Sequence, residues 1–311
     1  MKRSLLLFVI FSALGFTSTT KSQMNIKANP VALGIPHTKW ETPDTLSNKL
    51  INIAFFGVDR RSTSDFGNSD IIMVVSIDME SNKVKLSSIM RDTYVSIYAR
   101  GKNKINAAYL EGGPGLAIRT LNENFDLAIR DYISVDFFGS AKIIQALGGV
   151  EIDVKEDEVE FLNNYLGEIA GIDGIPANFV KKAGMQHLDG KQAVAYSRIR
   201  AVGRGDYGRI NRQALVMSAL MKSVQEKKND FIAIVLKDIV PNIETNLDYA
   251  ELFEIGTNLL QAKSRSLEHV RFPLDNASKG IMIDKIWYLS ADLAKTTQSL
   301  HNYIYKDVYP E

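Results

Sequence analysis

The sequence predicts an α/β fold: a three-layer α/β/α sandwich around a central mixed β-sheet that includes an antiparallel hairpin. Three observations carry this. Leu50–Val58 (LINIAFFGV) is a continuous apolar run rich in β-formers, the pattern of a strand buried on both faces. Ile71–Asp78 and Lys83–Ile89 are two more strand-like runs, separated only by the short polar stretch Met79–Asn82, which predicts a hairpin. Beyond them, strand-like and helix-like segments alternate, as in sandwiches with helices on both sheet faces.

The elements follow in order. Lys2 and Arg3 precede an uncharged apolar run, Leu5 to Phe16, and a polar stretch, Thr17 to Gln23. Residues 1–23 therefore read as a signal peptide or a short signal anchor; the run is short for a bilayer-spanning helix of about 20 residues. Residues 24–48, with Pro30, Pro36 and Pro43, read as a linker into a folded domain spanning 49–311. Gly113–Phe125 places Leu116, Ile118, Leu121 and Phe125 at helical spacing. Tyr132–Val135 is a short strand, and Phe137–Leu147 a helix closed by Gly148 and Gly149. Val150–Val154 is a strand, and the acidic run Glu156–Glu160 reads as a solvated surface segment. Residues 189–199 are helical or mixed. Arg209–Lys227 is an amphipathic helix with Ile210, Ala214, Met217, Met221 and Val224 on one face. Helical patterns fill 229–240 and 248–262, and Leu267–Phe272 is a final strand.

Composition narrows the chemistry. The 311 residues are 45% hydrophobic and 23% charged, which excludes a disordered or multi-span membrane chain. A net charge of +1 argues against bulk nucleic-acid binding. Cysteine is absent, and the four histidines form no HxH or HExxH pair. Any catalysis must run on carboxylates, arginines, lysines, hydroxyls or an oxygen-ligated metal.

The hairpin gives the first clue to a site. A turn centred near residue 80 or 81 places Asp70 opposite Arg91. Asp59 ends the first strand, so Asp59, Asp70, Arg91 and Asp92 converge at one sheet edge if the first two strands are neighbours. Carboxylates without His or Cys suit Mg²⁺ or Mn²⁺ held partly through phosphates; ordinary turn aspartates and surface ion pairs are the plainer alternative. Lys104 and Asn106 suit a phosphate and a sugar hydroxyl, but equally an ordinary loop. Five arginines (Arg198, Arg200, Arg204, Arg209 and Arg212) fall within 15 residues, leading into the first turn of the amphipathic helix. Free N–H groups and the helix dipole favour an anion there. Arg209, Arg212 and Gln213 share a face, and guanidinium suits multidentate contact with phosphate. Asp206 is placed to cap that helix, orient an arginine or join a metal site. Gly203–Gly208 matches GxGxxG, but no buried strand precedes it, so it is not a dinucleotide fingerprint.

Taken together, FFGVDRR (55–61), NSDIIMVVSID (68–78), SSIMRDTYV (87–95), KINAAYLEGGPGLAIRTL (104–121), DYISVDF (131–137), ALGGVEIDV (146–154), HLDGKQAVAYSRIR (187–200) and GDYGRINRQ (205–213) resemble the LytR-CpsA-Psr family of cell-envelope phosphotransferases. The matching blocks span about 50–226. The resemblance implies an α/β/α sandwich and transfer of a glycopolymer, such as a teichoic acid or capsular polysaccharide, from a polyprenyl-pyrophosphate carrier to peptidoglycan. It implies Mg²⁺ organised by Asp59 and Asp70. It also implies pyrophosphate held by Arg91, Arg198, Arg200, Arg209 and Arg212, with Gln213 and Lys104 nearby. Asp92 and Asp206 would orient arginines or support the metal; with Arg91 and Arg209 they make up the expected catalytic group. The partners implied are the lipid-linked glycan, peptidoglycan and a membrane surface, at an extracytoplasmic location. An apolar groove for the lipid would lie between the sheet and the helices of 209–262, residues that serve equally well as plain core. The same residues with water as nucleophile would make a metal-dependent lipid pyrophosphatase; arginines without the metal would make a binder of lipid-linked polyanions. Two positions depart from the family pattern: Asn68 stands where arginine is frequent, and Met90 where proline is.

Overall fold

A computed structural model describes residues 29–36, 50–60, 66–203, 205–227, 229–261 and 267–310. The expected signal or anchor segment, 1–23, and Arg204 lie outside the described residues. The three apolar runs form β1 (Leu50–Asp59), β2 (Asn68–Asp78) and β3 (Lys83–Ile89). Then come β4 (Tyr94–Ile97), β5 (Gly101–Lys104), α1 (Ala107–Phe125), β6 (Asp131–Asp136) and α2 (Phe137–Ala146). The next group is β7 (Val150–Val154), α3 (Glu156–Asp173), β8 (Gly184–Leu188), α4 (Gly190–Arg198) and α5 (Asp206–Glu226). The chain continues with α6 (Phe231–Ile234), running on as π and 3₁₀ turns to Asn242, then β9 (Glu244–Thr245) and α7 (Tyr249–Gln261). It closes with β10 (Glu268–Phe272), β11 (Ser278–Ile283), β12 (Ile286–Ala291) and α8 (Leu293–Lys306).

The central sheet has the order β10-β3-β2-β1-β6-β9 and is mixed. β2 pairs antiparallel with both β1 and β3, whereas β1 runs parallel to β6 and β3 parallel to β10. The β2–β3 register runs from Met73↔Ser88 to Asp78↔Lys83. Asp78 closes the turn by accepting from the Glu80 and Ser81 N–H groups at 2.9 and 3.0 Å. Asn82 supplies the left-handed residue at φ 54°.

Strand alternation sends side chains to two different cores. Ala54, Phe56, Val58, Ile72 and Val74 pack with Tyr109, Ile118, Leu121 and Phe125 of α1 and Leu300 and Tyr303 of α8. The opposite face, with Ile53, Phe55, Met73, Val75, Leu86 and Ile133, meets α2, α5, α6 and α7 across a cavity of about 290 Å³. These are the three layers the sequence predicts.

Some expectations change. Residues 29–36 are not a bare linker: Leu33 and Ile35 are buried in the α1 core, and Asn122 Nδ2 donates to Leu33 O at 2.9 Å. Val150–Val154 is a strand, but among the described residues it pairs only with β8, outside the central sheet. Together with α2, α3 and α4 it surrounds a second core around Leu162, Leu166, Val194 and Tyr196. Asp189 caps α4, its Oδ1 accepting from Gln192 N while Gln192 Oε1 accepts from Asp189 N, both at 2.9 Å. Gly190 is obligatory there, because a Cβ would stand 1.8 Å from Ala141 O of α2.

Candidate functional site

Most of the expected site residues converge at the carboxyl end of β1. Asp59 pairs with Asn68, and a register shift at Gly57/Val58 precedes the turn into the site. Extending the β2–β3 register beyond Met73↔Ser88 brings Asp70 to Arg91, and their side chains meet at 2.5 Å, Nη1 to Oδ1. The β4–β5 hairpin folds back so that Ile105 N donates to Thr93 O and Asn106 N to Arg91 O. That return delivers Lys104 Nζ to Asp92 Oδ1 at 2.6 Å. The loop after α4 carries Arg200, and the first turn of α5 carries Asp206 and Arg209.

Two aspartates knit three arginines together. Asp70 Oδ2 accepts from Arg200 Nη2 at 3.0 Å and from Arg209 Nη1 at 3.4 Å. Asp206 Oδ2 accepts from Arg91 Nε at 3.2 Å and from Arg209 Nη2 at 3.1 Å. Arg209 is only 2% exposed, and its Nε has no hydrogen-bond partner among the described residues. Burial, reinforced by the Arg91 charge, pushes its pKa down to about 10, so it remains a cation at neutral pH. Burial disfavours charge on Arg91 as well, but Asp70, Asp206 and Asp92 outweigh it and raise its pKa. At Asp92 burial is again outweighed, here by the Lys104 hydrogen bond and the Arg91 charge, which hold the carboxyl below its usual range.

A polar pocket of about 180 Å³ opens on this network, lined by Asp59, Asp70, Arg198, Arg200, Arg209 and Gln213 together with Ile71, Phe137, Tyr165 and Ser197. It shares Ile71, Phe137, Ser197 and Gln213 with the apolar cavity under the sheet, so the two volumes have a common wall. Arg198 stacks over Phe137 and Tyr165 at 4.7 and 4.9 Å and pairs with Glu168 at 3.2 Å.

Arg212 does not join this group. Its Nε donates to Glu158 Oε1 at 2.7 Å, and Nη1 and Nη2 donate to Ile199 O and Val202 O at 3.3 and 3.2 Å. Its donors are committed to bracing the arginine loop. The reading of Glu156–Glu160 as a solvated segment is corrected at Glu158, which is 5% exposed and also accepts from Lys155 N at 2.9 Å. The sequence reading also missed Phe137, Tyr165 and Glu168 around Arg198. Only the helical spacing of Glu158, Tyr165 and Glu168 on α3 carried a hint of them. The GxGxxG stretch enters α5 directly at Gly205, with no βαβ unit around it.

Among the described residues no group of three or more His, Cys, Asp or Glu side chains is arranged as a metal cage. Mg²⁺ bound through phosphates and water needs only one or two carboxylates, and Asp59 and Asp70 line the same pocket. That donor set fits the ion. No helix among the described residues is long and apolar enough to cross a membrane.

The chain matches the LytR_cpsA_psr family over residues 11–303. It is 33% identical, over 80% of its length and 76% of the relative's, to the polyisoprenyl-teichoic acid–peptidoglycan teichoic acid transferase TagU of Bacillus mycoides (strain KBAB4). Its fold matches the crystal structure of B. subtilis TagV with a TM-score of 0.64 at 26% identity, covering 85% of this chain and all of that one. It also matches the LytR-CPS2A-psr family protein YwtF (TagT) with bound octaprenyl pyrophosphate lipid, with a TM-score of 0.60 at 21% identity, covering 82% and 90% of the two chains. On the match across nearly its whole length and the identity to TagU, this chain belongs to the LytR-CpsA-Psr family.

Proposed function

We propose that this chain transfers a glycopolymer, of the teichoic acid or a related wall-polymer class, from a polyprenyl-pyrophosphate carrier to peptidoglycan through a phosphodiester. The observation that carries the reading is the shared wall between the arginine-lined pocket and the apolar cavity. A diphosphate esterified to a long isoprenoid presents that same sequence of a compact polyanion and an apolar tail. The activity named for the TagU relative supplies the polymer and acceptor classes.

In this reading Arg91, Arg200 and Arg209 neutralise the pyrophosphate, with Arg198, Lys104 and Gln213 around them. A hydroxyl of the peptidoglycan attacks the phosphorus that carries the glycan, and the polyprenyl phosphate leaves. Fixed guanidinium charges, already held by Asp70 and Asp206, meet the developing negative charge with little reorganisation. The hydroxyl proton passes to a carboxylate, Asp92 or Asp206. Asp59 and Asp70 would hold Mg²⁺, with Mn²⁺ of matching chemistry, and the ion would add positive charge at the phosphoryl oxygens. We place the domain at the extracytoplasmic face of the membrane, where both carrier and wall are accessible.

The test is transfer of a synthetic polyprenyl-pyrophosphoryl glycan to peptidoglycan in the presence of Mg²⁺. Arg91→Ala and Asp70→Ala should each lower the rate about 10²-fold or more, the scale of losing one stabilising group in a preorganised site. Parent-like transfer by either variant, or phosphate release without polymer attachment, sinks the assignment.

A further inference from the structure

The hairpin of β11 and β12 lies far along the chain from the site motifs, yet it reaches the site. Its strands pair from Ser278↔Ala291 to Ile283↔Ile286 and join no larger sheet among the described residues. Leu289 N donates to Asp92 O at 2.9 Å, and Leu289 bridges Thr93 in parallel. The Leu289 side chain is buried against Met90 and Ile210. Those two residues adjoin Arg91 and Arg209 in sequence, so β12 clamps the backbone that presents both arginines and Asp92.

Strand alternation turns the neighbouring Tyr288 away from Leu289. Its ring packs on Tyr94, centroids 4.8 Å apart and planes inclined at 58°. Tyr94 stands directly opposite Lys104 in the β4–β5 ladder, so their side chains share a face. Lys104 Nζ is thereby 5.7 Å from the Tyr288 centroid and 2.6 Å from Asp92 Oδ1. Lys102 takes the other ring, 5.9 Å from the Tyr94 centroid. Each tyrosine thus carries one ammonium group.

We infer that Tyr288 is a positioning residue for transfer: its ring seats the Lys104 ammonium against Asp92, and that pair fixes how the carboxylate faces the reaction. The inference rests on the proposed function, in which Asp92 is one of two proton acceptors. Two observations single out this ring. The Lys104 side chain is long and 27% exposed, so without a seat it has water to spread into. The other cation beside Asp92 is Arg91, 3.4 Å from Oδ2, and Arg91 is shared with Asp70 and Asp206. The placement of Oδ1 therefore depends on Lys104. An aromatic face attracts an ammonium through its quadrupole, which an aliphatic side chain lacks. Tyr288 lines neither the charged pocket nor the apolar cavity, so its effect falls on rate and not on donor binding.

The test compares Tyr288→Leu and Tyr288→Phe in the full chain, alone and with Lys104→Met, using a polyprenyl-pyrophosphoryl glycan and peptidoglycan. Losing the ring in Tyr288→Leu should lower kcat about 5-fold and leave KM for the donor within about 2-fold. Tyr288→Phe keeps the aromatic face and should stay within about 2-fold of the parent. In the Lys104→Met background Tyr288→Leu should cost nothing further, because the group it seats is gone. Tyr288→Thr also lacks a ring, suits a strand and should repeat the result if the leucine variant folds poorly. A second readout needs no turnover: acylation of Lys104 by an N-hydroxysuccinimide ester, followed by mass spectrometry, should be about 5-fold faster in Tyr288→Leu and parent-like in Tyr288→Phe. Multiplying losses in the double variant, a phenylalanine variant as slow as the leucine one, or unchanged acylation each overturn the role of Tyr288. A parent chain that transfers nothing while acylation follows the ring as expected overturns the transfer reading and leaves the Lys104 seat standing.

Discussion

Replacing Glu158 with glutamine keeps its volume but removes the charge that faces Arg212. Both side chains are 7% exposed and meet at 2.7 Å. Removing one member of such a buried pair costs about 3–5 kcal/mol, because the other charge is left uncompensated. The glutamine oxygen retains one acceptor, so a loss near 3 kcal/mol is expected. A domain stable by about 5–15 kcal/mol remains folded after that loss. Urea unfolding at neutral pH should therefore show a lower midpoint at constant slope. A functional consequence follows from the other two Arg212 donors, which hold the carbonyls of Ile199 and Val202. Arg200 lies between them and reaches Asp70 and Asp206. With Arg212 less firmly placed, the loop loosens, and kcat/KM for transfer should fall about 10-fold, or 1.4 kcal/mol. The double variant Glu158→Leu/Arg212→Leu leaves no buried charge and should regain much of the stability. It should not regain activity, because the loop carbonyls still lack their donor. A Glu158→Gln loss below about 0.5 kcal/mol refutes the energetic argument. Recovery of activity together with stability in the double variant refutes the bracing role.

Three further outcomes can be measured. Lys104→Met removes the hydrogen bond that helps keep Asp92 ionised at low pH, so the acid limb of the transfer pH profile should move to higher pH; an unmoved limb detaches Asp92 from the rate. Leu33→Ala should cost about 2–5 kcal/mol in chemical denaturation, as for a fully buried leucine, whereas a true linker residue would cost almost nothing. His269 is half-buried; desolvation, with a smaller contribution from the Arg271 charge, pushes its pKa down from 6.5 to about 4, and its neutral ring shares a 2.9 Å hydrogen bond with Ser88 Oγ. The unfolded chain takes up this proton first, so stability should fall by up to about 3 kcal/mol between pH 6.5 and pH 4 and flatten below that. His269→Asn should remove this part of the slope; an unchanged slope assigns it to other groups.

What the sequence made legible is mostly what short-range rules govern. The hairpin is the clearest case. Four turn residues fix a register in which paired positions sum to a constant, so Asp70 and Arg91 are brought together before any helix is placed. The cluster of arginines at the start of α5, the strand β1 and the helix spacing of α5 are local in the same sense. Lys104 was harder to place. Its position depends on the β4–β5 hairpin, whose strands YVSI and GKNK carry a weak pattern, and on the backbone bonds that the next two residues, Ile105 and Asn106, make to Thr93 and Arg91.

The sequence by itself determined the chemistry of this protein. With no cysteine and few histidines, and with arginines and aspartates set at fixed strand and helix positions, it specified an oxygen- and phosphate-handling site at one sheet edge. Only the tertiary structure decided which of the equivalent-looking residues face that site. Arg209 and Arg212 are one helical turn apart and share a face, yet Arg209 reaches Asp70 and Arg212 reaches Glu158. Helical periodicity sets the angle between two side chains but not what packs against each. Here α3 lies against α4 and presents a buried carboxylate, and a buried guanidinium goes to the charge that compensates it. The apolar cavity was undecidable for the same reason. Met217, Leu220 and Val224 would look alike in sequence whether they closed a core or, as here, lined a cavity under the sheet.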